Sequence, residues 1–360
     1  MKQAENMRGK PLYLEFFAGS GLVAHALKPH FKAAWANDIC EKKAAVYTAN
    51  HGGKHFKLGS ISDVSGEELP EAALSWASFP CQDLSLAGLT AGIHADRSGL
   101  VWQWLRIMDE MQERPPILVA ENVTGLVSVD GGSQYRILHD ALRTRGYKVG
   151  AVLLDAIRWV PQSRPRVFVV AVRNDIPISP ELISSGPTWM HPGSVVKAAA
   201  GLEQWIWWNM PEPPKRKQHL ADIIEWDAEC DDEEASKRNL SLVPDNHRRQ
   251  LESEEIVVAP GYKRTRSNRQ VLELRFDGVA GCLRTPRGGS SRQFLVLKRD
   301  NKLNTRLLTV RETARLMGAP DTFKLPGSYN DGYKAMGDAV AAPVARYLAK
   351  NLLSSLCEAI

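Results

Sequence analysis

Residues 12–38 read LYLEFFAGSGLVAHALKPHFKAAWAND, and this stretch decides the fold. "LYLEFF" (12–17) is an apolar, strand-like run, "AGSG" a turn, and "LVAHALKPH" has helical periodicity. "FKAAWAND" then returns as a second strand that ends in Asp38. A glycine-bearing turn between a first strand and its helix is where an α/β sheet holds a nucleotide, because glycine permits both the tight turn and close backbone approach. An acid at the end of the next strand accepts hydrogen bonds from a ribose diol. The pattern falls short of a full dinucleotide fingerprint and has no Walker lysine, so two unrelated loops are the competing reading of these residues alone.

Outward from that stretch the alternation continues. "ICEKKAAVYTANHG" reads as a helix, "ALSWASF" as a strand, and "GLVWQWLRIMDEMQ" as a helix with one apolar stripe. "PILVAEN" reads as a short buried strand, "SQYRILHDALRTRG" as a helix, and "RVFVVAV" (166–172) as a final strand. Strands that are apolar throughout and alternate with helices predict an α/β, Rossmann-like doubly wound parallel sheet, covered on both faces. Past Val172 clusters of proline and tryptophan such as "WIWWNMPEPPKRK" break the period, and 173–305 is expected to form a smaller domain of β and irregular structure. Helical pattern returns at "TVRETARLMG", with Thr309 as N-cap and Glu312 completing a capping box, and "APVARYLAKNLLSSLCEAI" closes the chain as an amphipathic helix. The expected division is therefore 1–172 plus 306–360 as one domain and 173–305 as the other.

Composition narrows the function classes. A chain of 360 residues, 44% hydrophobic and 24% charged, is ordinary for a globular protein. No apolar run approaches the roughly 18–20 residues of a membrane span. The five cysteines (Cys40, Cys81, Cys230, Cys282, Cys357) form no CxxC pair, which argues against a zinc site or a disulfide framework and suits a reducing cytoplasm. The formal charge is only +5, but 261–306 holds twelve Lys or Arg against three acids, so that segment carries +9 and the remainder −4. Such a segment suits a polyanion, unless it is merely a solvated face. The acidic run "EWDAECDDEEAS" (225–236) is expected to be an exposed loop rather than a metal site.

Three short motifs carry the chemistry. In "FPCQ" (79–82), Cys81 follows a proline at the end of a strand and precedes a long stretch, Gln82 to Arg97. It reads either as a buried small residue at a turn or as a thiolate nucleophile at the mouth of a site. "AENV" (120–123) ends another strand, which would bring Glu121 to the same carboxyl edge as Cys81. A carboxyl group buried there tends towards a raised pKa and can keep or donate a proton. "PQSRPRVFVV" (161–170) places Arg164 and Arg166 two apart at the entry of a strand, where alternation would point both to one side.

Taken in order, "EFFAGSG", Asp38, "FPCQ", "DRSGL", "ENV", "QSRPR", "RLLTVRETARLMGAPD" and "GDAVAAPVA" resemble the signature blocks of the DNA (cytosine-5) methyltransferases of prokaryotic and phage type, over nearly the whole chain except about 173–260. The resemblance implies Cys81 as nucleophile, with Pro80 orienting its loop and Asn122 bracing it. Glu121 would meet the N3 and amino edge of cytosine, Arg164 the flipped base, and Arg166 would support the site. The cofactor would be S-adenosyl-L-methionine, leaving as S-adenosyl-L-homocysteine. Phe17 would stack on its adenine, the turn Gly19, Ser20 and Gly21 would approach its methionine part, and Asp38 would take the ribose. Ile39, Ser60, Ile61, Pro80, Leu100, Asp338 and Val340 would complete that pocket. Double-stranded DNA would be read by Lys263, Arg264 and Arg266 and by the stretch Arg284, Arg287, Gly288, Gly289, Ser290, Ser291 and Arg292. No metal is implied. A monomer is expected, a cognate restriction endonuclease is the companion the class suggests, and the location is cytoplasmic. The chain departs from the pattern at Asp338 (usually Asn), Leu22 (commonly Gly) and Ser60 (usually an acid, with Asp63 nearby). An RNA substrate, as in the tRNA-methylating branch, and a catalytically dead DNA-binding relative are the rivals. The Cys-Phe-Thr element of that branch is absent, and Cys81, Glu121, Arg164 and Arg166 are intact.

Overall fold

β1 (Leu12–Phe16) lies inside a seven-stranded sheet in this computed structural model, which describes residues 9–80, 99–252, 257–285, 291–299 and 302–360. The other strands are β2 (Lys32–Asp38), β3 (Phe56–Leu58), β4 (Leu74–Ala77), β5 (Ile117–Val123), β6 (Tyr147–Asp155) and β7 (Pro165–Arg173), in the order β3-β2-β1-β4-β5-β7-β6. β3, β2, β1, β4 and β5 run parallel, while β7 runs antiparallel to β5, with Glu121 opposite Phe168 and Val123 opposite Arg166. The all-parallel expectation is corrected at β7. Only residues 156–164, with one 3₁₀ turn (Ala156–Arg158), link β6 to β7, too short for the helical crossover a parallel connection requires. β3 and β6 were not expected from the sequence. Strand β6 buries Tyr147, Val149, Ala151, Val152 and Leu154, so it shows no clean two-residue alternation.

Helices α1 (Leu22–Leu27), α2 (Glu41–His51), α3 (Leu100–Glu110), α4 (Gly125–Ser128) and α5 (Ser133–Arg143) follow strands of this sheet. Trp104 of α3 is fully buried and donates to Ser75 Oγ of β4 at 2.9 Å, tying the helix to the sheet through its one polar atom. The parallel set places the ends of β1, β2, β4 and β5 on one carboxyl edge, where open α/β sheets bind ligands. That edge carries Phe17, Asp38, Pro80, Glu121 and Asn122.

Contacts divide the chain into two compact units: 1–154, 165–213 and 344–360 in the first, 155–164 and 214–343 in the second. These boundaries differ from those expected at 172/173 and 305/306. Residues 173–213 stay with the sheet because Leu153 N donates to Met190 O at 2.9 Å, Trp205 bridges to Val149, and His139 Nε2 meets Glu203 O at 2.8 Å. This part contains α6 (Gly193–Ala199) and a ribbon of β8 (Ile183–Ser184) and β9 (Trp207–Trp208), and it buries Trp208 completely.

The second unit is built on an antiparallel sheet of β10 (Val258–Arg266), β11 (Arg269–Leu274), β12 (Gln293–Arg299) and β13 (Lys302–Leu307) in the order β11-β10-β12-β13. The two-residue turn Ser267–Asn268 has φ of +44° and +58°, as a tight hairpin requires. Helices α7 (Glu233–Ser241) and α8 (Asp245–Leu251) occupy a stretch expected to be irregular. α9 (Val310–Leu316) is capped as predicted, by Thr309 and Glu312, and α10 (Tyr329–Gly337) follows. Glu312 is also ion-paired with buried Arg306 at 2.6 Å. The acidic run is better scaffolded than an exposed loop. Asp231 accepts from Thr305 Oγ1 at 2.6 Å and from Asn239 at 2.9 Å, and Asp232 caps α7. Among the described residues no group of acids, histidines or cysteines could hold a metal, and no helix is long and apolar enough to cross a membrane. The chain ends in α11 (Ala342–Leu348), a π-turn, and α12 (Ser354–Cys357).

Candidate active site

The turn after β1 is held in a left-handed backbone conformation by Phe17 (φ +58°), Gly19 (φ +56°) and Gly21 (φ +84°). A Cβ at Gly21 would come within 2.6 Å of the His51 ring, whose Nε2 lies 2.8 Å from Gly21 O. Glycine is therefore required there twice, by φ and by space. Burial pushes His51 down to about 4, with the Gly21 carbonyl opposing and nearby cationic groups assisting, so the ring is a neutral donor at neutral pH.

Asp38 closes the turn from the other side. Gly19 N donates to its Oδ2 and Cys40 N to its Oδ1, each at 2.8 Å. Two backbone donors fix the carboxylate, and each oxygen keeps a lone pair for a ribose hydroxyl. Asn37 donates to Lys57 O at 2.9 Å and Gly59 O at 3.0 Å, holding the next loop beside it. Ile39 is 71% exposed and Leu58 46%, two apolar side chains left uncovered where a flat ring could lie. Ser60 caps the 3₁₀ turn Ile61–Asp63 by accepting from Ser62 N, and Ile61 is buried. Ser20 is buried within the turn, and Leu100 opens α3. These residues fit a nucleoside-type cofactor: a shaped backbone turn, a fixed acceptor for a diol and an apolar rim. Leu22, unusual for the pattern, is simply a buried residue of α1.

Glu15 was not singled out by sequence. It is 1% exposed on β1 and accepts from Tyr13 OH at 3.1 Å. Burial raises its pKa to about 8, with the Tyr13 bond opposing and the Asp38 charge adding. A lone acid in an apolar strand was the only signal, and family resemblance assigned it nothing.

At the ends of β4 and β5 the geometry is tighter. Asn122 Nδ2 donates to Phe79 O at 3.0 Å and its Oδ1 accepts from Val123 N at 2.8 Å, so the amide braces the backbone just before Pro80. Glu121, 7% exposed, is ion-paired with Arg166, Nε to Oε1 at 3.2 Å. Cys81 and its following stretch lie outside the described residues.

The two arginines of "QSRPR" part company. Arg166 is inside β7 and faces Glu121, whereas Arg164 belongs to the second unit and is 2% exposed. Its Nη1 donates to Leu283 O at 2.9 Å, and its Nη2 to Gly337 O at 2.9 Å and Ala339 O at 2.7 Å. The neighbouring Gln162, wholly buried, spans Leu316 O and Leu283 N. The expectation that alternation puts both arginines on one side is corrected, because Arg164 precedes the strand and its own amide is bonded to Asp155 at 2.7 Å.

Asp338 and Val340 also belong to the second unit; Asp338 ends α10 and accepts from Thr285 Oγ1, and Val340 is buried. Of the expected DNA-reading residues, Arg287, Gly288, Gly289 and Ser290 lie outside the described residues. Arg266 is bound by Glu273 at 2.6 Å and Arg292 donates to Asn330 at 2.5 Å, beside Ser291. Lys263 sits 4.5 Å from the Phe294 ring, while Arg264 and Arg284 both flank Tyr262, at 5.2 and 5.7 Å.

A doubly wound sheet with a shaped turn and a braced acid at its carboxyl edge is a Rossmann-like arrangement suited to a nucleoside-type cofactor. Residues 13–354 match the family described as C-5 cytosine-specific DNA methylase, and the chain belongs to that family. It is a DNA (cytosine-5-)-methyltransferase. It is 25% identical over 350 residues to the Type II methyltransferase M.HhaI of Haemophilus parahaemolyticus, covering 96% of this chain and 94% of that one. It is 28% identical over 357 residues to M.FnuDI of Fusobacterium nucleatum, covering 96% and 95%. Among solved structures, the Dnmt2 methyltransferase of S. pombe shares the fold with a TM-score of 0.63 at 18% identity, over 97% of this chain and 99% of that one. A putative DNA modification methyltransferase of an E. coli prophage does so at 0.58 and 19%, over 96% and 99%.

Proposed function

We propose that the chain methylates C5 of a cytosine flipped out of double-stranded DNA, within one short sequence, through a covalent bond between Cys81 and C6. The observation that carries this reading is the Glu121–Arg166 pair beside the Asn122-braced approach to Pro80. C5 of cytosine is a poor nucleophile, so the ring must be activated. The Cys81 thiolate adds at C6, the C5–C6 double bond opens, and its electrons move towards N3, where a carboxyl group at the ring edge supplies a proton or hydrogen bond. Glu121 is that group, and Arg166 orients it. S-adenosyl-L-methionine, which Phe17, the Gly19–Gly21 turn and Asp38 would hold, would supply the methyl group to C5 and leave as S-adenosyl-L-homocysteine. Loss of the C5 proton then reforms the double bond and releases the thiolate. No thiol reaches C6 edge-on within a stacked duplex, so the base must leave the helix.

Arg164, with its guanidinium bound to three carbonyls, acts as a positioning residue for the second unit rather than as a contact to the base. The division of labour we propose gives catalysis to residues 1–172 and 306–360 and recognition to 173–305, although contacts group 173–213 with the large sheet and 155–164 and 306–343 with the second unit. A monomer suffices, since one flipped base needs one active site, and a companion restriction endonuclease is in keeping with the Type II relatives. A cytoplasmic location, bound to DNA, follows from the substrate.

The test is a duplex carrying 5-fluorocytosine at the target position. Fluorine cannot leave C5 as F⁺ in the way hydrogen leaves as H⁺, so with S-adenosyl-L-methionine present the adduct stalls, and a protein–DNA band stable to denaturant is expected with wild type and absent with Cys81→Ser. Methyl transfer by Cys81→Ser at the wild-type rate would overturn the covalent mechanism.

A further inference from the structure

Residues 59–68, after β3, carry Ser60 and Ile61, both expected at the cofactor pocket, but have only two short 3₁₀ turns of their own, Ile61–Asp63 and Gly66–Glu68. At its entry the loop is held by Asn37, which donates to Lys57 O and Gly59 O. Further on, its fixed partners come from α3. Arg106 Nη2 donates to Val64 O at 2.9 Å and lies 3.4 Å from Ile61 O and 3.5 Å from Ser62 O, so one corner of the guanidinium faces three carbonyls of the loop. Its other donors are anchored on the helix itself, Nε to Gln103 Oε1 at 2.8 Å and Nη1 to Glu110 Oε1 at 2.5 Å. Glu110 then reaches the loop with its second oxygen, Oε2, which accepts from Gly66 N at 2.9 Å. The backbones approach closely at that contact, since a Cβ on Gly66 would stand 2.2 Å from Ile107 O.

Magnitudes decide what this pair is for. With side chains 35% and 32% exposed, the Arg106–Glu110 ion pair adds little to stability. What it supplies is direction. A planar guanidinium held on two sides presents its remaining corner in one orientation only, and a loop without a strand takes a definite position from it. Burial acts to raise the pKa of Glu110, but the Gly66 amide and then Arg106 lower it below the usual carboxylate value, so the group stays charged at neutral pH. The same helix opens at Leu100, also expected at the pocket, and is tied to β4 through Trp104. Neither Arg106 nor Glu110 takes part in that buried tie.

We propose that Arg106 and Glu110 are positioning residues for the S-adenosyl-L-methionine pocket, setting Ser60 and Ile61 relative to Asp38 and Leu100 and thereby the affinity for the nucleoside part of the cofactor. Neither side chain needs to touch the cofactor, because the loop carbonyls carry the effect. The proposal rests on the reading of this chain as a methyltransferase and deepens it.

The experiment measures S-adenosyl-L-homocysteine binding by calorimetry without DNA, and steady-state methylation of DNA from a host that lacks cytosine methylation. It compares wild type, Arg106→Ala, Arg106→Lys and a control, Asp109→Ala, which removes the ion pairs of Asp109 with Arg145 and Arg114 from the same helix. Arg106→Ala is expected to weaken S-adenosyl-L-homocysteine binding and raise the KM for S-adenosyl-L-methionine by about tenfold, with kcat at saturating cofactor and the affinity for DNA within about twofold of wild type. Arg106→Lys keeps the charge but not the fork, and should fall between the two. Asp109→Ala should bind the cofactor as wild type does. Wild-type cofactor affinity in Arg106→Ala would overturn the proposal. So would a loss matched by Asp109→Ala, or one that extends equally to DNA affinity and kcat, since either marks a general weakening of the fold. Should Arg106→Ala not fold, Arg106→Lys decides: a raised KM and weaker binding at unchanged kcat support the proposal, and wild-type values overturn it. Should wild type bind S-adenosyl-L-homocysteine but methylate no DNA, the enzymatic reading fails alone and calorimetry still tests the pocket. Should it bind none, both fall.

Discussion

The carboxyl edge of the large sheet and a cavity of about 580 Å³ beside Tyr262 in the second unit handle polar groups in opposite ways. At the edge three polar groups are already bound by their own chain: Asp38 by two backbone amides, Asn122 to Phe79 O, Glu121 to Arg166. In the cavity Arg264, Arg284 and Gln293 have no such partners among the described residues. Prior satisfaction fixes orientation before a ligand arrives, which is what chemistry on one invariant base and one cofactor needs. Unsatisfied groups are not fixed by the chain itself, so their orientation is set less firmly than that of the groups at the edge.

The largest expected effect lies on the fixed side. Cys81→Ser should retain DNA binding and lose methyl transfer by at least about 10³-fold, read as incorporation of labelled methyl beside a gel-shift titration. Glu121→Gln should lower kcat by roughly 10²–10⁴-fold, the ordinary reach of acid–base assistance. Arg166→Ala and Arg164→Ala should then diverge. Removing Arg166 frees Glu121 and lowers kcat with little change in melting temperature. Removing Arg164 leaves the buried carbonyls of Leu283 and Gly337 and the part-buried one of Ala339 unmet and should cost on the order of 3 kcal/mol of stability, read by denaturant unfolding. Equal behaviour of the two variants would break the distinction drawn between them.

Asp38→Ala should weaken S-adenosyl-L-methionine binding by about 10–100-fold by calorimetry while sparing the affinity for DNA. The smallest effect is a slope. Glu15 is protonated in the folded chain up to about 8 but ionises near 4.5 when unfolded, so the folded state holds the extra proton between these values. Its contribution is present below pH 4.5 and lost as pH rises towards 8, by at most about 1.4 kcal/mol per pH unit. Glu15→Gln should flatten that part of the stability profile, and an unaltered slope would contradict the burial argument.

Much of the edge was legible because period and position suffice there. The Phe17–Gly21 turn, Asp38, and the placement of Glu121 and Asn122 at a strand end follow from an apolar strand stopping at a polar residue. The capping box at Thr309 was legible for the same local reason. What escaped depends on partners far away in sequence. Strand β6 is buried on both faces and lacks alternation, and β7 reverses because a loop is short. Arg164 reads like Arg166 until Leu283, Gly337 and Ala339 are known to surround it. His51 beneath Gly21 and Gln293 beside Gly281 have no signature at all, since each is defined by space that a distant glycine leaves. The cavity was invisible in a count of basic residues, because pairing with Glu273 and Asp277 decides which arginines remain available.

The decisive measurement is bisulfite sequencing of DNA from a bacterial host without cytosine methylation that expresses this chain or its Cys81→Ser variant as soluble protein. If Cys81 carries the methyl transfer, protected cytosines are expected in a single short recurring sequence with wild type and none with the variant. Complete conversion in both would contradict it.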